Sequence, residues 1–176
     1  MAGTTVTYDE AALVAALAER DIRHLRLAAK IDSSPQLTTT ALIEALANSS
    51  SPRLREALIL LFLRHPEYAG VVPALAAGLD ERARLVLRHM YTTAVYLQRL
   101  WRTTLSLYLG DLPSLPDYFG QSDFDLPTPE RKFGEAGLRA LAELFQEITG
   151  HDWLSVYNSA ISLFLAQLSL EQNPVS

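Results

Sequence analysis

The sequence contains no cysteine among its 176 residues. This absence excludes disulfide bonds, catalysis by a thiolate and zinc sites with cysteine ligands, and it suits a reducing compartment. The first ten residues, MAGTTVTYDE, have neither a basic start nor an apolar segment, so we expect no secretory signal. We therefore predict a soluble, cytoplasmic protein.

The motifs of the common enzyme classes are missing as well. There is no HExxH zinc motif, no GxSxG nucleophile elbow, no GxxxxGKS or GxxxxGKT phosphate loop and no GxGxxG dinucleotide motif. His151 and Asp152 form a pair of the kind that binds metals in phosphohydrolases, but Asp152 is also the expected N-cap of the helix that follows. We expect no metal site, no cofactor and no catalytic residue.

Regular alternation of polar and apolar residues is absent over any useful length, so the sequence predicts no β-strand. Apolar residues recur instead at spacings of three and four, which indicates one all-α domain over residues 1–176. Proline, glycine and polar runs mark the ends of the predicted helices. These span residues 9–18, 21–31, 37–47, 52–65, 67–77, 80–109, 135–149 and 153–171.

The helix predicted over residues 80–109 is the longest, and the rest of the chain is organised around it. Asp80 is a suitable N-cap, and Gly110 ends the helix. One face carries an apolar stripe that must face a core, and another carries a row of arginines. The stripe is Ala83, Leu87, Met90, Ala94, Leu97, Trp101, Leu105 and Tyr108, and the arginine row is Arg84, Arg88, Arg99 and Arg102.

A short apolar pattern occurs three times in the first half of the chain. Each copy is followed by an apolar residue and an arginine near the start of the next helix. The copies are ALVAAL (12–17), ALIEAL (41–46) and ALAAGL (74–79), and the pairs are Ile22-Arg23, Leu54-Arg55 and Ala83-Arg84. The pattern resembles the short helical-hairpin repeats of the HEAT family over about residues 9–95, with the best match in the middle copy, LIEALANSSSPRLREALILL.

The HEAT resemblance implies a fold and a function. The fold would be a solenoid-like array of three hairpin repeats over residues 9–109, ending in the long helix. Proteins of this family mostly act as scaffolds that bind a protein, or less often a nucleic acid, along a concave face. By the same resemblance, Arg23, Arg55 and Arg84 would connect repeats. We therefore predict a non-enzymatic protein-binding or assembly module with a protein partner.

Residues 110–133, which we refer to as the strap, contain four prolines and no helical pattern. The strap also holds apolar and aromatic residues, so we expect an ordered loop that folds over apolar surface. Tyr118 and Phe119 are candidates for contacting a partner. The alternative is that they simply cover the helices.

The last part of the chain, residues 134–172, is predicted to be a C-terminal helical hairpin. Residues 153–170 carry no charge and are nearly long enough to span a membrane. Asn158, Gln167 and four serines oppose such a span, so we predict no membrane association. A helix that is apolar nearly all round is buried on several sides, either within the fold or in a homodimer interface through residues 153–170.

The arginine row raises the question of nucleic acid as a partner. The net charge is −5, and residues 110–176 contain 3 basic and 10 acidic residues, so pairing within the protein is favoured. Nucleic acid is therefore a disfavoured partner. The residues that would bind it as an adaptor are Arg84, Arg88, Arg99 and Arg102.

Arg84 and His89 also resemble the R-x4-6-H motif of the HEPN superfamily, all-helical proteins that include dimeric ribonucleases. The resemblance implies a metal-independent ribonuclease in which His89 is the general base and Arg84 stabilises the charged transition state. Leu85 departs from the polar residue that is usual in that family. Five residues of a helix also separate the two side chains by about 140°. This is the enzymatic alternative to the assembly module.

Overall fold

The computed structural model of the protein describes residues 7–25 and 36–173. Within these ranges the fold is all-helical and has no strand, as predicted. The α-helices there are α1 (Glu10–Glu19), α2 (Thr39–Asn48), α3 (Pro52–Arg64), α4 (Val72–Gly78), α5 (Glu81–Leu100), α6 (Arg102–Leu109), α7 (Glu135–Thr149) and α8 (Trp153–Gln172). Short 3-10 helices lie at Pro66–Val71 and Arg131–Gly134.

Side-chain N-caps fix the start of several helices. The carboxylates of Asp9, Asp80 and Asp152 each accept a hydrogen bond from a backbone N–H in the first turn. The hydroxyl of Thr38 does the same for α2. Such a cap stabilises a helix by about 1 kcal/mol because it satisfies a donor that has no partner within the helix. Pro52 lies in the first turn of α3, where a missing N–H loses no hydrogen bond.

Helices α3 and α5 form the centre of the fold. Every residue in 57–63 of α3 and in 89–98 of α5 is buried. A helical segment that is buried all round has no solvent face, so these two segments are covered on every side, whereas the first turns of both helices include exposed residues. Helices α1, α2, α7 and α8 pack around them, and the strap covers part of α5.

The helix predicted over residues 80–109 is interrupted in the structure. Trp101 has φ −105° and ψ 17°, which ends α5 and begins α6. The apolar stripe continues across the break, since Leu105 is buried like Ala83 and Leu97. No glycine or proline marks this position, so helix propensity does not indicate the break. After the break, α6 packs against α8.

The first half of the chain also departs from the predicted helices. Residues 21–25, predicted as the start of a helix over 21–31, form turns, and Asp21 has a left-handed φ of 64°. Aspartate is among the few residue types that adopt this conformation readily. Residues 26–31 lie outside the described residues. The helix predicted over 67–77 is present as a 3-10 segment followed by α4.

The strap packs on α5, as expected from its apolar residues. The side chain of Gln98 accepts a hydrogen bond from the N–H of Leu115 at 2.7 Å and donates one to the carbonyl of Pro113 at 3.1 Å. Leu115, Phe119 and Leu126 are buried. The strap is therefore part of the core and not a tether between helices.

Two tyrosines of α5 hold the strap at further points. The hydroxyl of Tyr91 donates to the carbonyl of Pro116 at 2.6 Å, and the hydroxyl of Tyr96 donates to the carbonyl of Pro127. The ring of Tyr96 lies directly on Gly137 of α7, where an added Cβ would be 1.9 Å from a ring carbon. Only glycine fits at this position without a shift of the ring.

Helices α7 and α8 pack against each other, and they also pack against α5 and α3. Leu138, Leu141 and Phe145 lie on one face of α7 and are buried. Ile148, in the last turn of α7, is 56% exposed.

Candidate functional site

Arg84, the first residue of the predicted arginine row, is bonded within the fold. Its guanidinium donates to the backbone carbonyls of Ala76, Ala77 and Leu79 at distances of 2.8 to 3.2 Å. These carbonyls lie at and just after the C-terminal end of α4, where the only backbone donor among the described residues is the N–H of Leu79, which bonds to the carbonyl of Ala76 at 3.4 Å. Arg84 therefore caps α4 with its Nε and Nη2 groups.

Arg88 and Arg99 face the strap. Nε of Arg88 lies 3.2 Å from a carboxylate oxygen of Asp123 and forms an ion pair with it without a hydrogen bond. Arg99 donates to the carbonyl of Leu115 at 2.9 Å and pairs with Glu130 at 3.5 Å. Acidic residues of the strap thus lie beside the middle of the arginine row, as the uneven division of charge predicted.

The remaining predicted contact residues are Tyr118, Phe119 and Arg102. Tyr118 stacks on Tyr91 with ring centres 5.4 Å apart, and Phe119, 7% exposed, lies 5.7 Å from the guanidinium of Arg88. Phe119 therefore contributes to the core and leaves little surface for a partner. Arg102 is exposed on α6 and has no ion-pair partner among the described residues.

His89 is buried on the inner side of α5 and is 3% exposed. Its Nε2 lies 2.6 Å from the hydroxyl oxygen of Tyr157 in α8, and its ring stacks on Phe145 with ring centres 3.5 Å apart. Burial lowers the pKa of His89 to about 3, so the imidazole is neutral at pH 7.

The structure does not bring Arg84 and His89 together. Arg84 bonds to the end of α4, whereas His89 contacts α7 and α8. A general base works best with a pKa near the operating pH and within hydrogen-bond reach of its substrate. A buried imidazole with a pKa of about 3 is poorly suited to that role.

A cleft of about 180 Å³ opens beside His89, between α3, α5, α7 and the start of α8. Most of its lining is apolar, and three charged side chains contribute to it. The apolar residues include Val86, Met90, Phe145, Ile148 and Trp153, and the charged residues are Arg55, Glu56 and Arg82.

The charged residues of this cleft are only partly neutralised. Arg55 donates to the carbonyl of Ser49 at 2.9 Å, and Arg82 has no hydrogen-bond or ion-pair partner among the described residues. Burial and the positive charge of Arg82 both lower the pKa of Arg55. Burial raises the pKa of Glu56, and the nearby Arg55 partly offsets this effect. The cleft thus combines an apolar interior with two guanidinium groups and one carboxyl group.

The outer face of α8 is a second candidate surface. The inner face of this helix packs on the core through Tyr157, Ile161 and Phe164. Leu163 and Leu170 point outward and are 50% and 65% exposed. Between residues 153 and 170 the other outward residues are small or polar and uncharged, and they are Ser155, Asn158, Ser159, Ser162 and Ala166.

Helix α8 is also long and apolar enough to cross a membrane by length and composition alone. In the described part of the chain, α3 and the following segment, Pro66–Gly78, meet the same criteria only if the two are counted as one span, although a bend of 113° separates them. A single helix of this kind is a weak indication, since core helices of globular proteins meet the test as well.

Sequence patterns did not reveal the cleft. Its residues come from four helices and are separated by up to 101 positions, from Pro52 to Trp153. No spacing rule connects such residues. The resemblance to HEAT repeats predicts that Arg55 connects two repeats, and its bond to Ser49 agrees with a structural role. Its position near Arg82 depends on how α3 packs on α5.

The described residues include no group of histidine and carboxylate side chains that could hold a metal ion. In comparisons with known proteins, no family model, no curated protein and no solved structure matches this chain significantly.

Proposed function

We propose that the protein is a non-enzymatic assembly module, and that it binds a second copy of itself through the outer face of α8. The observation that carries this proposal is the absence of charge over residues 153–170, although one side of the helix is open to solvent. The solvent face of a helix in a globular protein is normally charged or strongly polar. Leu163 and Leu170 are instead half or more exposed there.

A second copy of the chain fits this surface because the surface is compatible with itself. In a two-fold dimer the same patch meets its own copy, so a charged patch would repel its partner. Residues 153–170 contribute no charge to the patch, and the nearby charges of α3, Arg53 and Glu56, have opposite signs. Its small residues, Ser155, Ser159, Ser162 and Ala166, allow two helices to approach closely, and the leucines pack at either side.

The expected dimer is weak. Helix α8 has 20 residues and is about 30 Å long, which limits the area that it can bury. Full burial of a leucine side chain contributes about 2 kcal/mol, and Leu163 and Leu170 are already partly covered in the monomer. Association also carries a large entropic cost. We therefore expect a dissociation constant on the order of 10 μM.

A HEAT-like arrangement of helical hairpins is the second part of this proposal, because it would support an assembly role. Two of the predicted hairpins, α2 with α3 and α4 with α5, use an arginine in the same way. Arg55 donates to the carbonyl of Ser49 just after α2, and Arg84 donates to carbonyls at the end of α4. Equivalent arginines that cap the preceding helix support the proposal of a repeated unit, and such arrays commonly serve as binding scaffolds.

The test is the molar mass in solution as a function of protein concentration. Light scattering and sedimentation equilibrium of the wild-type protein are expected to show a monomer at low micromolar concentration and a dimer at high micromolar concentration. The variant Leu163→Glu puts a charge into the proposed interface, so it should remain a monomer with unchanged helicity.

A matched control is Phe133→Glu, which places the same charge on another exposed apolar residue. Phe133 is 78% exposed and lies before α7, away from the outer face of α8. This variant should dimerise like the wild-type protein. A wild-type monomer at several hundred micromolar would overturn the proposal. Equal loss of the dimer in both variants would show that another surface is responsible.

A further inference from the structure

We propose that the cleft beside His89 binds a small carboxylic acid, with its aromatic or short aliphatic body inside the cleft and its carboxylate against Arg55 and Arg82. This inference goes beyond the proposed assembly function and does not depend on it, since the cleft and the outer face of α8 are different surfaces.

The volume of the cleft limits the size of the ligand. Sites for drug-sized molecules usually exceed about 300 Å³, whereas an apolar cavity of about 150 Å³ accommodates benzene. The cleft measures about 180 Å³. It is therefore suited to one aromatic ring with a short side group or to an aliphatic chain of about six carbons.

The inner wall of the cleft is suited to an apolar group. The indole N–H of Trp153 donates to the hydroxyl oxygen of Thr149 at 2.8 Å, and that hydroxyl donates to the carbonyl of Phe145 at 2.8 Å. Both polar groups already have partners, so this wall presents carbon atoms to a ligand. Nε2 of His89 is likewise engaged by Tyr157.

Exposed apolar side chains flank the same cleft. Leu85 on α5 is 36% exposed, and Ile148 on α7 is 56% exposed. They belong to different helices that both line the cleft. A ligand with an apolar body would contact both residues and remove part of their surface from water, which favours binding by the hydrophobic effect.

The charged residues of the cleft favour a ligand with a negative charge. Arg55 and Arg82 both line the cleft, and burial together with the positive charge of Arg82 lowers the pKa of Arg55, while Glu56 supplies a single opposing carboxyl group. A bound carboxylate would relieve the repulsion between the two arginines. A guanidinium can also bond both carboxylate oxygens at once. An acid should therefore bind more tightly than an alcohol or amine of the same shape.

The experiment uses Trp153 as the reporter of binding. Trp101 is the other tryptophan, and its indole nitrogen is buried without a hydrogen-bond partner among the described residues. The variant Trp101→Phe therefore loses no hydrogen bond and leaves Trp153 as the single source of tryptophan fluorescence. Benzoate, hexanoate, benzyl alcohol and benzylamine are then titrated separately into this variant at constant ionic strength.

Benzoate or hexanoate should change the fluorescence of Trp153 along a saturating curve, with a dissociation constant of about 1 mM for so small a ligand. Benzyl alcohol and benzylamine should bind at least about tenfold more weakly than benzoate, because they cannot form the charge-assisted bonds. Absence of a saturating change with either acid would overturn the proposal. Equally tight binding of benzylamine would overturn it as well.

Two substitutions test the role of the arginines. Arg82→Gln removes an exposed charge at the cleft, so the protein should still fold, and its affinity for benzoate should fall about tenfold. Arg102→Gln removes an exposed charge on α6, outside the cleft, and should leave the affinity unchanged. Equal effects of the two substitutions would mean that benzoate responds to overall charge, against the proposed site.

The same titration of a Trp101→Phe, Leu163→Glu double variant separates this inference from the assembly proposal. Binding of benzoate with an unchanged dissociation constant by a monomeric protein is the expected result. Loss of binding upon loss of the dimer would contradict a site that is complete within one chain.

Discussion

Acid should destabilise this protein through His89, at a pH where most carboxyl groups are still charged. The pKa of His89 is about 3 in the folded protein, whereas histidine in an unfolded chain has a pKa near 6.5. Between these values the unfolded chain binds a proton that the folded protein does not. Stability is therefore complete above about pH 6.5 and falls as the pH is lowered toward 3.

The size of the effect follows from the proton that is taken up on unfolding. Each pH unit well below 6.5 lowers the free energy of unfolding by about 1.4 kcal/mol per proton. Between pH 7 and pH 5 the contribution of His89 amounts to about 2 kcal/mol.

Other groups contribute to the pH dependence and need controls. Burial and Arg53 also lower the pKa of His24, so His24 acts in the same direction as His89. Burial raises the pKa of Glu56, which acts in the opposite direction. The pKa values of Asp152 and Glu171 are lowered, so these carboxylates lose their stabilising contribution at lower pH values.

The assay is urea unfolding at pH 7, 6 and 5, followed by circular dichroism. The variant His89→Gln has no titrating group at this position, and its amide can still bond to Tyr157. Between pH 7 and pH 5, its free energy of unfolding should fall by about 2 kcal/mol less than that of the wild-type protein. The matched control, His24→Gln, should keep the contribution of about 2 kcal/mol that His89 makes to this decrease. A pH dependence of His89→Gln equal to that of the wild-type protein would refute the reasoning.

Three further changes test the packing and the interface. Gly137→Ala puts a Cβ 1.9 Å from a ring carbon of Tyr96 and should lower the free energy of unfolding by about 2 kcal/mol in urea titrations, whereas a gain in stability would contradict the contact. Leu58→Asp buries a charge in α3 and should abolish the helical circular dichroism; full helicity would count against the core assignment. The variant Ser162→Cys contains a single cysteine and should form a disulfide-linked dimer on oxidation, whereas the exposed control Ser122→Cys should not. Equal yields of dimer from the two variants on non-reducing gels would argue against the α8 interface.

Local patterns predicted most of the helices because their ends are set by neighbouring residues. Asp80 and Asp152 cap the helices where the sequence placed them, and Gly150 ends α7 in a left-handed conformation. Ala83, Leu87, Met90, Ala94, Leu97 and Leu105 of the apolar stripe are buried, as helical periodicity predicts, whereas Trp101 is only partly buried. These features need no knowledge of the rest of the fold.

Other features could not be predicted because they depend on tertiary packing. Trp101 interrupts a segment with good helix formers on both sides. Arg82 and Arg55 approach each other only because α3 and α5 are neighbours. The burial of His89 beneath Phe145 and Tyr157 likewise joins residues that are far apart in the chain. Periodicity assigns each of them to a helix face but does not determine which faces meet.

The attachment of the strap to α5 has a consequence for amide hydrogen exchange. Three of its anchors are hydrogen bonds from side chains of α5 to the carbonyls of Pro113, Pro116 and Pro127, so no backbone amide donates in them. Exchange experiments would therefore register little of the protection that these anchors provide. The amide of Leu115, which donates to Gln98, is buried and does report on the strap. We expect it to exchange only when the strap lifts from the central helix.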